Sequence, residues 1–374
     1  MRGELSAGLP RLGTVDRYVV SLTTGAPVRL RGLNRSGLEY AVPDPPARAA
    51  GDAGDMGGVG AAEGGRGFLD AVGISEEEIA TIAREWGANV IRIPFNQDFA
   101  LNGSRGRSAE EYLVALDTVI AWAARHGCYT LLDLQWLDAR RVFGTTDGMG
   151  LTPNRVPPLP DASSVTLWET LARRYVDEPA VLFDLFNEPH DLLADDPHGL
   201  VGVHPGGVIA PIRGRRVRMT HWQPWARHLI DAIRAHHPLA LIFVSGIRWA
   251  YDLRGMPLVD EAGAPLKNIV YSTHVYPWLT TPRIPLPWPW RRLEDDWDRA
   301  FGHLASRVPV FAAEWGGEPG DLAWGMRLHR YLDTHDIGWT AWSWSDWPHL
   351  VTDARAGNHS PTAFGALVRD ALRA

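Results

Sequence analysis

A (β/α)8 barrel is the fold class that this sequence predicts. Short apolar, β-branched runs alternate with amphipathic helical runs, the pattern of parallel strands joined by helical crossovers. Eight strand-then-helix units can be laid out in series, although the helix after strand five is weakly patterned. The 374 residues are long for an ordinary domain but usual for a barrel with insertions. An open doubly wound sheet is disfavoured: no GxGxxG follows a strand and no GxxxxGKS/T occurs, so the phosphate-cradling loops of nucleotide folds are missing.

The elements follow in order. An N-terminal hairpin within residues 1–28 is expected from Tyr18–Leu22, a turn at Thr24-Gly25 and a run from Val28 to Leu33, of which 29–33 is strand one. Helix one, 75–86, starts at Ser75 with Glu78 three residues on, a capping box. Strands two to eight fall at 89–93, 129–134, 181–186, 240–244, 269–273, 309–313 and 338–342. The intervening and final helices fall at 109–126, 163–176, 221–237, 294–305, 321–335 and 361–372. With no internal repeat and no domain boundary, residues 1–374 read as a single catalytic barrel domain. Three insertions follow strands, on the face where barrel active sites lie. They are 43–67, with eight Gly between 51 and 67 and expected to be flexible, then 190–220, and 277–293 with its PLPWPW run.

Composition narrows the function. The net charge of −7 and pI near 6.1 show no basic face for nucleic acid, and the Arg-rich run at 213–218 reads as solvated loop. The single Cys128 excludes internal disulfides and cysteine-based zinc ribbons; its place between a helix and a strand marks a small buried hydrophobe. No run of about 20 apolar residues could span a membrane. The first residues hold no apolar signal-peptide core, so the chain as written reads as cytoplasmic; a secreted protein with its export signal removed would read the same. The oligomeric state is not legible. Seventeen Trp are present. Sugar rings stack their CH faces on such planes, so oligosaccharide or polysaccharide is a fitting partner, while about half of these Trp are expected in the core.

The polar residues that end apolar strands carry the chemistry. Asn187-Glu188-Pro189 closes strand four, and Glu314, followed by Trp315, closes strand seven. A carboxylate at a barrel mouth is costly to bury and is not placed there for packing. One such Glu could simply pair with an arginine; two, with matching neighbours, point to catalysis. Glycosidic cleavage needs this pair, one carboxyl protonated to supply the leaving oxygen, the other ionised. Arg92, in IRIPF, is the candidate cation beside them, a role compatible with a structural ion pair. No metal or other cofactor is required. His190, His198 and His204 share a loop with Asp191, Asp195 and Asp196, but without a tight ligand pattern. No GxSxG elbow for a serine hydrolase is present. Asp133 reads as a brace for neighbouring polar groups.

The segments RGLNRSGLEY, NVIRIPF, LFDLFNEP, YSTHVYPW, PVFAAEWGG and GWTAWSWSDW, in this order and at barrel spacing, resemble glycoside hydrolase family 5, the cellulase family with catalytic glutamates after strands four and seven. The resemblance covers nearly the whole chain. It implies Glu188 as acid/base, Glu314 as nucleophile, Asn187 at the sugar 2-hydroxyl, Arg92 holding Glu314 ionised, and His274 and Tyr276 facing the pocket. It also implies Trp342 as the platform under the sugar, with Trp344, of the same parity, as its rival. The chain departs from the family in Asp133-Leu134-Gln135-Trp136, where Gln135 stands in place of a histidine. Gln135 can hydrogen-bond a sugar but cannot titrate near neutrality. Gln135, Trp136, Asn34 and Trp315 join Arg92, Asn187, His274, Tyr276 and Trp342 as expected substrate contacts, and Glu39 reads as a cleft acid, a surface acid or a supporting one. The function expected is a retaining glycoside hydrolase acting on β-glucan, cello-oligosaccharide or β-mannan. The alternatives are a transglycosylase using the same residues, an exo-acting enzyme on short or aglycone-bearing glycosides, and, last, a non-catalytic sugar-binding protein.

Overall fold

The computed structural model describes residues 8–43, 61–138, 157–191, 201–203, 209–211, 216–280, 293–354 and 356–374. Eight strands close into a barrel: Arg31–Asn34 (β1), Val90–Asn96 (β2), Tyr129–Trp136 (β3), Val181–Asp184 (β4), Ile242–Ser245 (β5), Ile269–Val275 (β6), Val310–Trp315 (β7) and Gly338–Ala341 (β8). Each pairs in parallel with its chain neighbours, and β8 closes on β1. Helices cover the outside after most strands, so the expected (β/α)8 fold is what the chain forms. After β5 the chain runs instead through turns and isolated bridges to β6.

Alternation along the strands sorts side chains into two apolar clusters. Leu30, Val90, Leu131, Leu182, Phe243, Val270 and Phe311 fill the barrel interior, and a larger cluster packs the strands against the helices. Each such residue contributes about 1.5–3 kcal/mol by burial. Among the described residues eight Trp (Trp86, Trp168, Trp222, Trp225, Trp297, Trp315, Trp339 and Trp344) are buried, close to the half expected in the core. Cys128 is buried as expected, its thiol pushed up to about 12 by burial.

Three local expectations are corrected. The N-terminal hairpin pairs Leu12–Val15 with Tyr18–Ser21 and turns at Asp16-Arg17, where Asp16 takes a left-handed φ of 50° that Asp tolerates. The Thr24-Gly25 turn exists, but it leads only to a bridge between Val20 and Pro27. Leu12 joins the interior cluster and Val19 packs on it, so the hairpin stoppers the barrel floor. Residues 61–67 of the Gly-rich insertion belong to a helix, Ala61–Val72, while 44–60 lie outside the described residues. The cap at Ser75 is half a box: Ser75 accepts from the Glu78 amide, but the Glu78 carboxylate pairs with buried Arg35 at 2.8 Å.

One irregularity positions the site. β6 and β7 run in register to Thr273 and Ala312, after which His274 pairs with Glu314 and Val275 with Trp315. Ala313 is therefore an extra residue, a bulge that re-aims the strand end. Glu314 is brought to the inner face beside His274, and Trp315 is turned outward with Val275 into the strand–helix core.

Candidate active site

Glu188 and Glu314 meet at the barrel mouth. One oxygen of each and a ring nitrogen of His274 lie within 4.8 Å of one another. His274 Nδ1 is 2.9 Å from Glu188 Oε1 and 3.4 Å from Glu314 Oε2, and the Tyr276 hydroxyl donates to Glu314 Oε2 at 2.7 Å. The Glu188 side chain keeps 20% of its exposure and Glu314 only 5%, so the two carboxyls sit in different environments, one reaching the cleft and one set into its floor. Both were expected to face the pocket; His274 and Tyr276 both reach the glutamates, but only Tyr276 lines the cleft, and His274, fully buried, lies behind it.

Arg92 lies beneath, fully buried. It donates to Glu314 Oε1 at 2.8 Å, Asp184 Oδ2 at 2.9 Å, Asn34 Oδ1 at 2.9 Å and Asn187 Oδ1 at 3.0 Å, and stands 2.9 Å from Asp133 Oδ1. One cation thus faces three carboxyls. Burial raises Asp133 well above the usual carboxylate range and Asp184 to about 6, against the pull of Arg92. Asp133 makes no aligned hydrogen bond, and its contact with Arg92 at 2.9 Å is that of an ion pair. Burial raises Glu314 and nearby Glu188 adds to it, while His274, Arg92 and the Tyr276 hydroxyl pull it down. Burial in turn pushes His274 down to about 3, toward the neutral imidazole, which leaves Arg92 as the standing charge beneath Glu314. A neutral His274 donating from Nδ1 leaves Nε2 as an acceptor, and that atom is buried without a partner.

A cleft of about 700 Å³ opens above the pair, lined among others by Gln135, Glu188, Trp249, Tyr276, Trp278, Glu314, Trp342 and Trp347. A side pocket of about 180 Å³ shares Gln135, Glu188 and Trp249 with it and adds Trp136 and Asn187. Gln135, Trp136, Asn187, Tyr276 and Trp342 are thus where a substrate could meet them. The Gln135 Oε1 atom is buried with no partner, an acceptor left open beside the cleft. Trp136 leans on Tyr40, ring centroids 6.1 Å apart.

Three further expected substrate contacts are corrected. Asn34 is fully buried, its amide donating to the carbonyls of Ala313, Thr340 and Ala341 and its oxygen accepting from Arg92, so it ties β1 to β7 and β8. Arg92 has no exposed surface and acts on Glu314 from below. Trp315 packs at 5.3 Å on Trp339 and 5.7 Å on Phe364, behind the barrel wall, because of the Ala313 bulge. Trp344 is likewise buried, against Trp86, since β8 ends at Ala341 and strict alternation ends with it; Trp342 alone of that pair lines the cleft. Glu39 is buried, accepts from the Gly37 amide, and is raised by burial and by nearby Asp346; it supports the fold and does not line the cleft.

Sequence reasoning missed Trp249, Trp278 and Trp347. Trp249 sits in the unpatterned stretch after β5, on a turn in which Arg248, Trp249 and Ala250 have φ of 60°, 62° and 57°. Left-handed backbone disfavours L side chains by about 1–2 kcal/mol per residue. The turn is held by paired bonds between Ile247 and Asp252 and by the Trp249 amide donating to the Pro189 carbonyl at 3.1 Å. The Trp249 ring lies flat on His190, 3.9 Å away at 9°. In the His- and Asp-bearing loop after β4, His190 is so occupied and Asp191 accepts from the Val217 amide; His198, His204, Asp195 and Asp196 lie outside the described residues.

A family model for cellulase (glycosyl hydrolase family 5) matches residues 61–347. The chain belongs to this family and is a glycosidase. An endoglucanase of Paenibacillus polymyxa is 25% identical over 305 residues, 72% of this chain and 69% of that protein. A β-xylosidase of Phanerodontia chrysosporium is 24% identical over 292 residues, 71% of this chain and 56% of that protein, so the chain spans little more than half of that relative. A solved β-glucanase of Saccharophagus degradans, in complex with cellotetraose, superposes with a TM-score of 0.67 over 99% of this chain and 95% of that one at 20% identity, a likeness of fold. Among the described residues no helix is long and apolar enough to cross a membrane.

Proposed function

We propose that this glycosidase cleaves β-glucan-type oligosaccharides with retention, Glu188 serving as acid/base and Glu314 as nucleophile. The observation that carries this reading is the approach of the two carboxylates to within 4.8 Å. Retaining enzymes hold their carboxyls about 5–5.5 Å apart, whereas inverting enzymes leave about 6.5–9.5 Å for a water. Glu188 gives its proton to the glycosidic oxygen as the C1–O bond breaks and an oxygen of Glu314 bonds C1. Water then attacks C1, its proton passes to Glu188, and the bond to Glu314 breaks. Arg92 and Tyr276 stabilise the ionised Glu314 that the first step needs and the second releases. The Asn187 amide, whose oxygen accepts from Arg92, would donate to the 2-hydroxyl, a contact that strengthens in the transition state. Trp342 supplies the platform. The glucan substrate class is supported by the endoglucanase and β-glucanase relatives.

Glu314→Ala tests the assignment. Activity on an aryl β-glycoside should nearly vanish and be partly restored by azide, giving the α-glycosyl azide. A variant keeping more than about a tenth of the wild-type rate, a barrier change of only about 1.4 kcal/mol, would show that Glu314 is not the nucleophile.

A further inference from the structure

The chain after β8 brings a second indole to the cleft. Trp342 and Trp347 both line it, and the Trp342 ring nitrogen donates to the Trp347 carbonyl at 3.1 Å. The Trp347 ring stacks on Trp278 at 5.4 Å and 22°, and Trp278 stacks on Tyr276 at 4.6 Å and 14°. These three rings make one column. It joins the chain after β6 to the chain after β8, the two strands that flank β7 and Glu314. The inner end of the column is fixed, because Tyr276 is buried and its hydroxyl bonds Glu314. The outer end is open. Trp347 is 57% exposed, the highest value for a large apolar residue among those described, although one of its faces lies against Trp278. A tryptophan with one ring face covered that keeps more than half of its surface turns the other face to water.

An apolar surface left open at the edge of a cleft marks a place where something binds. Supporting Trp342 does not account for the ring, since it is the Trp347 carbonyl, not the indole, that meets Trp342. The ring is also held in place before any ligand arrives, so a partner that stacks on it gives up little for ordering the side chain. Sugar rings offer a flat CH face to such a plane. The sugar at the cleavage point has Trp342 beneath it, so the open face of Trp347 is left for another residue of the same chain. We propose that this face is a stacking platform for a second sugar residue of the substrate, away from the cleavage point, and that it makes the enzyme favour chains long enough to reach it. The proposal rests on the reading of the substrate as a β-glucan-type oligosaccharide, and it holds for either direction of the chain in the cleft.

The test is hydrolysis of cellobiose, cellotriose, cellotetraose and cellopentaose by the wild type and by three variants at Trp347. In the wild type kcat/KM should step up at the length that covers Trp347. Trp347→Ala should lower the ratio of kcat/KM between the longest chain and the shortest one cleaved by about 5- to 10-fold, in the range of one aromatic stacking contact. The loss on the long chains should lie in KM, because a contact remote from the reacting bond is made alike in the ground and transition states. Trp347→Tyr keeps a flat ring and should hold most of the ratio. Trp347→Leu is apolar without being flat and should behave as the alanine variant. A ratio that Trp347→Ala leaves unchanged, whether activity falls equally on every chain or on none, would overturn the proposal. Cellotetraose turned over with no step in chain length overturns the platform and leaves the glucan reading standing. Folded enzyme that cleaves another β-glycoside but none of these oligosaccharides overturns the glucan reading, and with it the occupant proposed here.

Discussion

Arg92 reaches Glu314 from beneath, its Nη1 donating to Glu314 Oε1 at 2.8 Å while the guanidinium is wholly shut off from solvent. The same group is the cation shared by Asp133 and Asp184. Arg92→Met would leave three buried carboxyls without a counter-charge. Breaking a buried pair in this way destabilises by about 3–5 kcal/mol, and urea denaturation at pH 8 should show it. The deficit should shrink as pH falls. Carboxyls whose folded-state pKa lies above the unfolded value favour the fold when protonated, and that stability is present below about pH 4 and lost as pH rises through the folded value. Equal stability of variant and wild type at pH 8 would contradict this role.

The raised Glu314 must ionise before it can attack. The acid limb of kcat/KM should therefore lie above the ordinary glutamate value of about 4.3. Tyr276→Phe removes a 2.7 Å hydrogen bond to the charged form, so the limb should move further up. At the optimum, kcat/KM should fall about 10- to 100-fold, since a hydrogen bond to a charged group is worth about 1.5–3 kcal/mol. A limb that stays in place would show that the hydroxyl does not act on Glu314.

His274, held at about 3 by burial, should stay neutral across the working range and carry its proton on Nδ1 toward Glu188. Nitrogen-15 NMR of the imidazole from pH 5 to 8 should show one tautomer and no titration. A midpoint near 6.5, the ordinary histidine value, would mean that the ring is charged in part of that range and helps to hold both glutamates.

Trp342 and Trp315 should separate cleanly. Trp342→Ala should lower kcat/KM about 30-fold or more, matching the 2 kcal/mol or so lost with a central aromatic anchor, with little change in stability. Trp315→Ala should cost about 3–5 kcal/mol of stability by denaturation and leave kcat/KM of the folded protein within about twofold. The opposite pattern would place Trp315 in the cleft.

The legible features were those encoded in runs. The strands showed because buried parallel strands are continuous apolar stretches, and Glu188 and Glu314 showed because each interrupts such a stretch at its end. The side on which neighbouring residues fall depends on alternation, and alternation failed where the chain is irregular. The Ala313 bulge turned Trp315 outward, and the end of β8 at Ala341 buried Trp344. Asn34 and Arg92, expected at the substrate, lie one layer beneath the cleft; their depth follows from the closed barrel, which no local pattern records. Trp249 carried no signal, because three left-handed residues that include neither Gly nor Asn leave no mark in a sequence.

The most direct measurement is a proton NMR time course of a β-linked gluco-oligosaccharide such as cellotetraose under hydrolysis, watching the anomer released before mutarotation. Attack by Glu314 followed by attack of water inverts C1 twice, so the β anomer should appear first and the α anomer only as the sugar equilibrates. Release of the α anomer first would mean a single displacement by water, and the paired glutamates would then not be working as nucleophile and acid.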